Sequence, residues 1–195
     1  MSLFFFPSIQ AVHYHIPKTG GTSIRDGAFK GEYTGPRFSG TLPHWPRERT
    51  FTFVRCPYDR AVSCLAFLRA TFPEEDLTME KMIEIASDES IDPARLDAED
   101  CEERQRSYIR HHVLPQTHAH YRMEDARFVG RFERLDEDFA ALCRWLGIGE
   151  RDLPHLLRSK RGPWQDHLGE KERRLVEDFY RDDFTFLPYR KENEK

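Results

Sequence analysis

The sequence predicts an α/β fold, a single domain of 195 residues with a mostly parallel sheet flanked by helices. Three observations carry this expectation. β-rich runs alternate along the chain with segments of helical periodicity. The two strongest runs, residues 11–16 and 50–54, each end in a polar turn that opens a helix. Hydrophobic residues at 38% beside 33% charged are enough for one core and too many for a disordered chain.

The start, MSLFFFPSIQAVHYH, has an apolar patch too short to span a bilayer and no basic leader. It reads as the first strand of the fold, centred on residues 11–16, which points to a cytoplasmic protein without a membrane span. Thr22 and Ser23 then stand where they can cap a short helix running to about Phe29. Residues 30–49, rich in Gly, Pro and charge, read as loop. The second strand, residues 50–54, closes on Arg55-Cys56-Pro57, and Pro57 suits the first turn of a helix. Tyr58, Ala61, Val62, Leu65 and Leu68 then recur at helical spacing.

Residues 77–86 and 102–112 form two further amphipathic segments, and residues 126–132 return to strand character. Leu135, Phe139, Leu142 and Leu146 mark a helix that Gly147 can stop. Residues 170–180 make the last helix, followed by an aromatic tail from Phe184 to Tyr189.

The net charge of −4 is unevenly spread. Residues 73–100 hold 11 carboxylates against Lys81 and Arg95, so an acidic helical insert at about 73–104 sits on a mildly basic remainder. That pattern fits an anionic small ligand and argues against a nucleic-acid surface, which needs a basic face. Cys56, Cys64, Cys101 and Cys143 fall at no metal-ligand spacing and read as reduced thiols.

The run His15-Ile16-Pro17-Lys18-Thr19-Gly20-Gly21-Thr22-Ser23 carries the most chemistry. Gly20 and Gly21 allow a tight turn whose N–H groups converge on one anion, and the helix after it points its positive end the same way. Lys18 adds a full charge, and the Thr22 and Ser23 hydroxyls add donors. The loop is P-loop-like, but Lys18 precedes both glycines instead of following the last one. A second run, Arg55-Cys56-Pro57-Tyr58-Asp59-Arg60-Ala61-Val62-Ser63, repeats the logic at the next strand end. Arg55 can grip a phosphate through two parallel hydrogen bonds and Ser63 can supply a third. Two anion sites at two strand ends suit a ligand with two separated phosphates.

These runs resemble the sulfotransferases that use 3′-phosphoadenosine-5′-phosphosulfate (PAPS), in particular the carbohydrate branch with its heparan and chondroitin enzymes. Lys18, Thr19, Gly20, Gly21, Thr22 and Ser23 match the family's 5′-phosphosulfate loop. Arg55, Pro57, Arg60 and Ser63 match its 3′-phosphate motif, with Cys56 where the family usually has Asp. Val129-Gly130-Arg131-Phe132-Glu133-Arg134-Leu135, His112 through Gln116, and the ending Tyr180 to Tyr189 are similar to further family stretches. So are Leu153-Pro154-His155 and Ser159-Lys160, which implies a nucleotide contact for Lys160.

The resemblance implies in-line attack of an acceptor hydroxyl on sulfur, with Lys18 neutralising the leaving phosphate and no metal required. His44, upstream of Arg55, is the first candidate for the base, ahead of His112 and Glu133; Thr41 stands where many members have the base histidine. The acceptor that the resemblance implies is a carbohydrate or a small molecule. Two alternatives stay open: a non-catalytic nucleotide-binding module of the same fold, and a P-loop-type small-molecule kinase, which would need a GK[ST] ending and magnesium-binding acids.

Overall fold

The computed structural model describes residues 3–35, 48–154, 156 and 161–192. In chain order its main elements are β1 (Leu3–Phe6), β2 (Ala11–Tyr14), β3 (Thr50–Val54), α1 (Pro57–Thr71), α2 (Met79–Ser87), α3 (Cys101–Val113), β4 (Phe128–Arg131), α4 (Leu135–Trp145), α5 (Glu170–Phe179) and α6 (Arg181–Phe186). The α/β class holds, with a four-stranded sheet in the order β1-β2-β3-β4. β2, β3 and β4 run parallel, and β1 joins antiparallel.

The opening segment holds two strands where the sequence reading had one. Pro7 starts a 3-10 turn, Pro7–Ile9, and Gln10 adopts a left-handed φ of 49° while both its N–H and its side-chain amide donate to the Pro7 carbonyl. The chain therefore reverses, and β1 pairs with β2 so that Phe4 lies beside His13 and Phe6 beside Ala11. A proline could signal the break, but not that the polar Gln10 would close a hairpin.

The described residues fall into two compact units. The first gathers Met1–Arg55 and Tyr121–Ser159 and contains the whole sheet with α4. Strand alternation divides its apolar side chains. Phe4, Phe6, Ala11, Phe51 and Phe53 face one way, and α4 lays Leu135, Phe139, Leu142 and Cys143 among them. Leu3, Val12 and Tyr14 form a smaller cluster with Phe5 and Ala126. The outer edge of β1 is bridged by Thr34, which exchanges both backbone hydrogen bonds with Phe5. α4 ends at Trp145 with Gly147 just beyond it, as the sequence predicts.

The second unit gathers Cys56–His120 and Lys160–Lys195 and is helical. Pro57 opens α1, Thr78 caps α2 by accepting the Lys81 N–H, and Asp100 caps α3 by accepting the Glu103 N–H at 2.7 Å. The acidic segment thus folds as the α2–α3 region of this unit. Its Arg60 is fully buried and donates to the carbonyls of Leu114 and His112, both at 3.0 Å. The Tyr180 hydroxyl donates to the Val113 carbonyl, and buried Asp183 accepts four hydrogen bonds from the backbone and side chains of Gln116 and Thr117. The resemblance stretches 112–116 and 180–189 are therefore one structural joint.

No helix of the described residues is long and apolar enough to cross a membrane. All four cysteines are free thiols.

Candidate functional site

Because β2, β3 and β4 are parallel neighbours, their carboxyl ends lie side by side. The segments leaving those ends are the Lys18 loop, Arg55, and the Phe132–Arg134 turn. Ligands of open α/β sheets bind at that edge. The geometry of the Lys18 loop, Arg55 and Phe132 lies within the first unit.

Exposure alternates along the Lys18 loop. Pro17, Thr19, Gly21 and Ser23 are buried, while Lys18, Gly20 and Thr22 are half-buried and form its outward side. The Thr19 hydroxyl donates to the Ile16 carbonyl at 2.7 Å and so braces the turn from within. The Ser23 hydroxyl accepts the Leu156 N–H at 3.0 Å. It serves the fold in that contact, where the sequence reading made it a donor to the anion.

Gly20 has a φ of +90°, and a Cβ there would sit 3.0 Å from Leu135 and 3.3 Å from Phe132. At Gly21 a Cβ would come within 2.3 Å of the His15 ring. Both positions thus need glycine, for backbone freedom at the first and close approach at the second. Lys18 itself is held at a φ of 70°, a left-handed conformation that costs a non-glycine residue on the order of 1 kcal/mol.

The helix after the loop differs from the expected one. Ser23–Ala28 is a six-residue π-helix, with Phe29 donating to Ile24 five residues back, and neither Thr22 nor Ser23 caps it through its side chain. So short a helix has little dipole of its own. π-turns are rare and recur at functional sites.

Arg55 leaves β3 and is 8% exposed. Its Nη1 donates to the Lys18 carbonyl at 2.8 Å, and its guanidinium lies 3.9 Å from the centre of the Phe132 ring. These contacts orient the arginine. Sequence reasoning assigned no role to Phe132, though it stands inside a quoted motif, and read His15 as structural or peripheral. An aromatic residue directly after a strand end was the available signal.

Of the remaining site residues, Ser63 lies half-buried on α1 in the second unit. His112, near the end of α3, has Nδ1 2.9 Å from the Tyr108 carbonyl, a contact that requires a proton on Nδ1. Glu133 stands between Phe132 and Leu135, whose side chains pack against Gly20, and its carboxylate is 4.0 Å from Arg131. His44 and Lys160 lie outside the described residues. Among the described residues no group of three or more His, Cys, Asp or Glu is placed to hold a metal ion.

A family model described as "Sulfotransferase family" matches residues 39–190, most of the chain, beginning beyond the Lys18 loop. No curated protein and no solved structure matches.

Proposed function

The chain belongs to the sulfotransferase family, and on that premise we propose that it moves a sulfo group from PAPS to a hydroxyl of a carbohydrate or small-molecule acceptor, releasing adenosine 3′,5′-bisphosphate. The observation that carries the reading is the Lys18 loop, which leaves Lys18, Gly20 and Thr22 half-buried after a parallel strand and is tied by hydrogen bond to Arg55.

In this reading the acceptor oxygen attacks sulfur in line, the bond from sulfur to the bridging phosphate oxygen breaks, and the acceptor proton passes to a base. Such a transfer asks for positioning and charge stabilisation. Lys18 and the loop N–H groups meet the charge on the leaving 5′-phosphate. Arg55 takes the 3′-phosphate in a charge-assisted pair. Motif spacing alone assigns Ser63 to the same phosphate and Lys160 to the nucleotide. His44 is the first candidate for the base, followed by His112 and Glu133. Lys18 and Arg55 supply the positive charge that a metal would otherwise bring, so the donor needs no metal.

Calorimetry with adenosine 3′,5′-bisphosphate and AMP tests the proposal. A charge-assisted pair to the 3′-phosphate contributes roughly 2–4 kcal/mol, so the bisphosphate should bind at least about 30-fold more tightly. Equal affinity would remove the PAPS reading.

A further inference from the structure

We infer that Phe132 is a positioning residue that holds Arg55 and the Lys18 loop in one geometry, so that the two phosphate-bearing ends of the nucleotide are recognised together. The inference rests on the nucleotide reading above and adds a residue to it. Phe132 follows β4 directly and opens the 3-10 turn Phe132–Arg134. Its ring does two things. One face lies 3.9 Å from the Arg55 guanidinium, close enough for cation–π attraction to fix the plane of the arginine. Its Cδ2 also stands 3.3 Å from where a Gly20 Cβ would be, so the ring supports the loop at its tightest point.

The Lys18 carbonyl accepts from Arg55 and completes a closed set: ring to guanidinium, guanidinium to loop, loop to ring. A residue that only filled the core could be replaced by any apolar side chain of similar size. One that orients a guanidinium needs a π face.

The experiment measures binding of adenosine 3′,5′-bisphosphate and of AMP to the full chain, in wild type, Phe132→Leu, Phe132→Met and Phe132→Tyr, with each also made in an Arg55→Ala background. Loss of the ring should weaken the bisphosphate about tenfold and AMP by much less. Phe132→Tyr, which keeps the ring, should recover most of the loss. In the Arg55→Ala background, Phe132→Leu should cost little more, because its effect passes through the arginine. Equal losses in the two backgrounds, or a Tyr variant as weak as Leu, would overturn the inference. So would a chain that folds with Tyr but with neither Leu nor Met, since the ring would then serve the core. A wild type that binds AMP and bisphosphate alike would instead remove the nucleotide reading on which the inference stands.

Discussion

Arg55 Nη1 donates to the carbonyl of Lys18 at 2.8 Å, joining two motifs 37 residues apart. In the sequence these runs stand as separate anion sites. The hydrogen bond ties the two runs together, since the arginine we propose for the 3′-phosphate also holds the lysine we propose for the 5′-phosphosulfate. It does so at the residue whose φ of 70° most needs holding.

Lys18 therefore carries a conformational cost that a glycine there would not. Lys18→Gly removes both the amine and the strain. Its melting temperature should equal or exceed that of wild type, because glycine accepts a positive φ freely. Sulfo transfer should fall at least about 100-fold, the scale of losing one charge-stabilising donor. Thermal melts beside a PAPS turnover assay check both halves. An active Lys18→Gly enzyme would show that the lysine amine is not in the reaction.

Arg55→Lys keeps the charge but loses the planar fork and the stacking on Phe132. Bisphosphate affinity should fall by about 10- to 100-fold, while a loss of Lys18 positioning should lower kcat as well. Steady-state kinetics with varied PAPS would show the two effects together. A change confined to KM would mean that Arg55 binds phosphate without organising the loop.

The contact between Gly21 and His15 offers a reciprocal test. Gly21→Ala places a methyl within 2.3 Å of the His15 ring, so the ring or the loop must move. Overpacking of this kind costs about 1–3 kcal/mol and should also weaken the donor site. Adding His15→Ala opens the space and should restore much of the stability and the PAPS affinity. If the double variant is no better than Gly21→Ala alone, the clash is not what glycine avoids here.

Much of the fold was legible in the sequence because its signals are local. The strand end at Val54, the proline opening α1 and the stop near Gly147 each follow from a few neighbouring residues, whereas the strand read over residues 11–16 stops at Tyr14. The Gly20-Gly21 turn after β2 was legible for the same reason. What escaped depended on partners far away in the chain. Ser23 looked like an anion donor until Leu156, 133 residues on, took its hydroxyl. Arg60 looked like part of a phosphate motif, yet it is buried against the carbonyls of His112 and Leu114. Phe132 looked like one more strand-end aromatic until the arginine over its face gave it a role.

Asp183 should be a stability residue rather than a site residue. Its two oxygens accept from Gln116 N–H and amide and from Thr117 N–H and hydroxyl, at 2.9–3.1 Å. Asp183→Ala would leave buried donors unpaired, at a cost of roughly 3 kcal/mol or more. Urea titration should show that loss, while enzyme kept below its unfolding midpoint should retain its KM for PAPS. A raised KM with unchanged stability would move Asp183 into the site.

His13 gives the protein a built-in sensitivity to acid. It is fully buried on β2, stacked at 4.7 Å on Phe51, and neither ring nitrogen has a hydrogen-bond partner among the described residues. Burial, with Arg25 nearby adding repulsion, pushes its pKa down from 6.5 to about 3. Between those values the unfolded chain binds a proton at His13 that the native chain refuses. Stability is therefore complete above about pH 6.5 and declines as pH falls towards 3, by roughly 1.4 kcal/mol per pH unit for one proton. Burial lowers His120 to about 4 and His118 also downward, so both add to the same slope. His13→Leu fills similar space without a titratable group. Its unfolding free energy, measured by urea titration from pH 7 to pH 4, should fall less steeply than that of wild type by about one proton. At pH 7 the variant should be at least as stable, because two orphaned ring nitrogens leave the core. A slope unchanged by His13→Leu would mean that the histidine is protonated in the native state, with its charge met by a group that the described residues do not include.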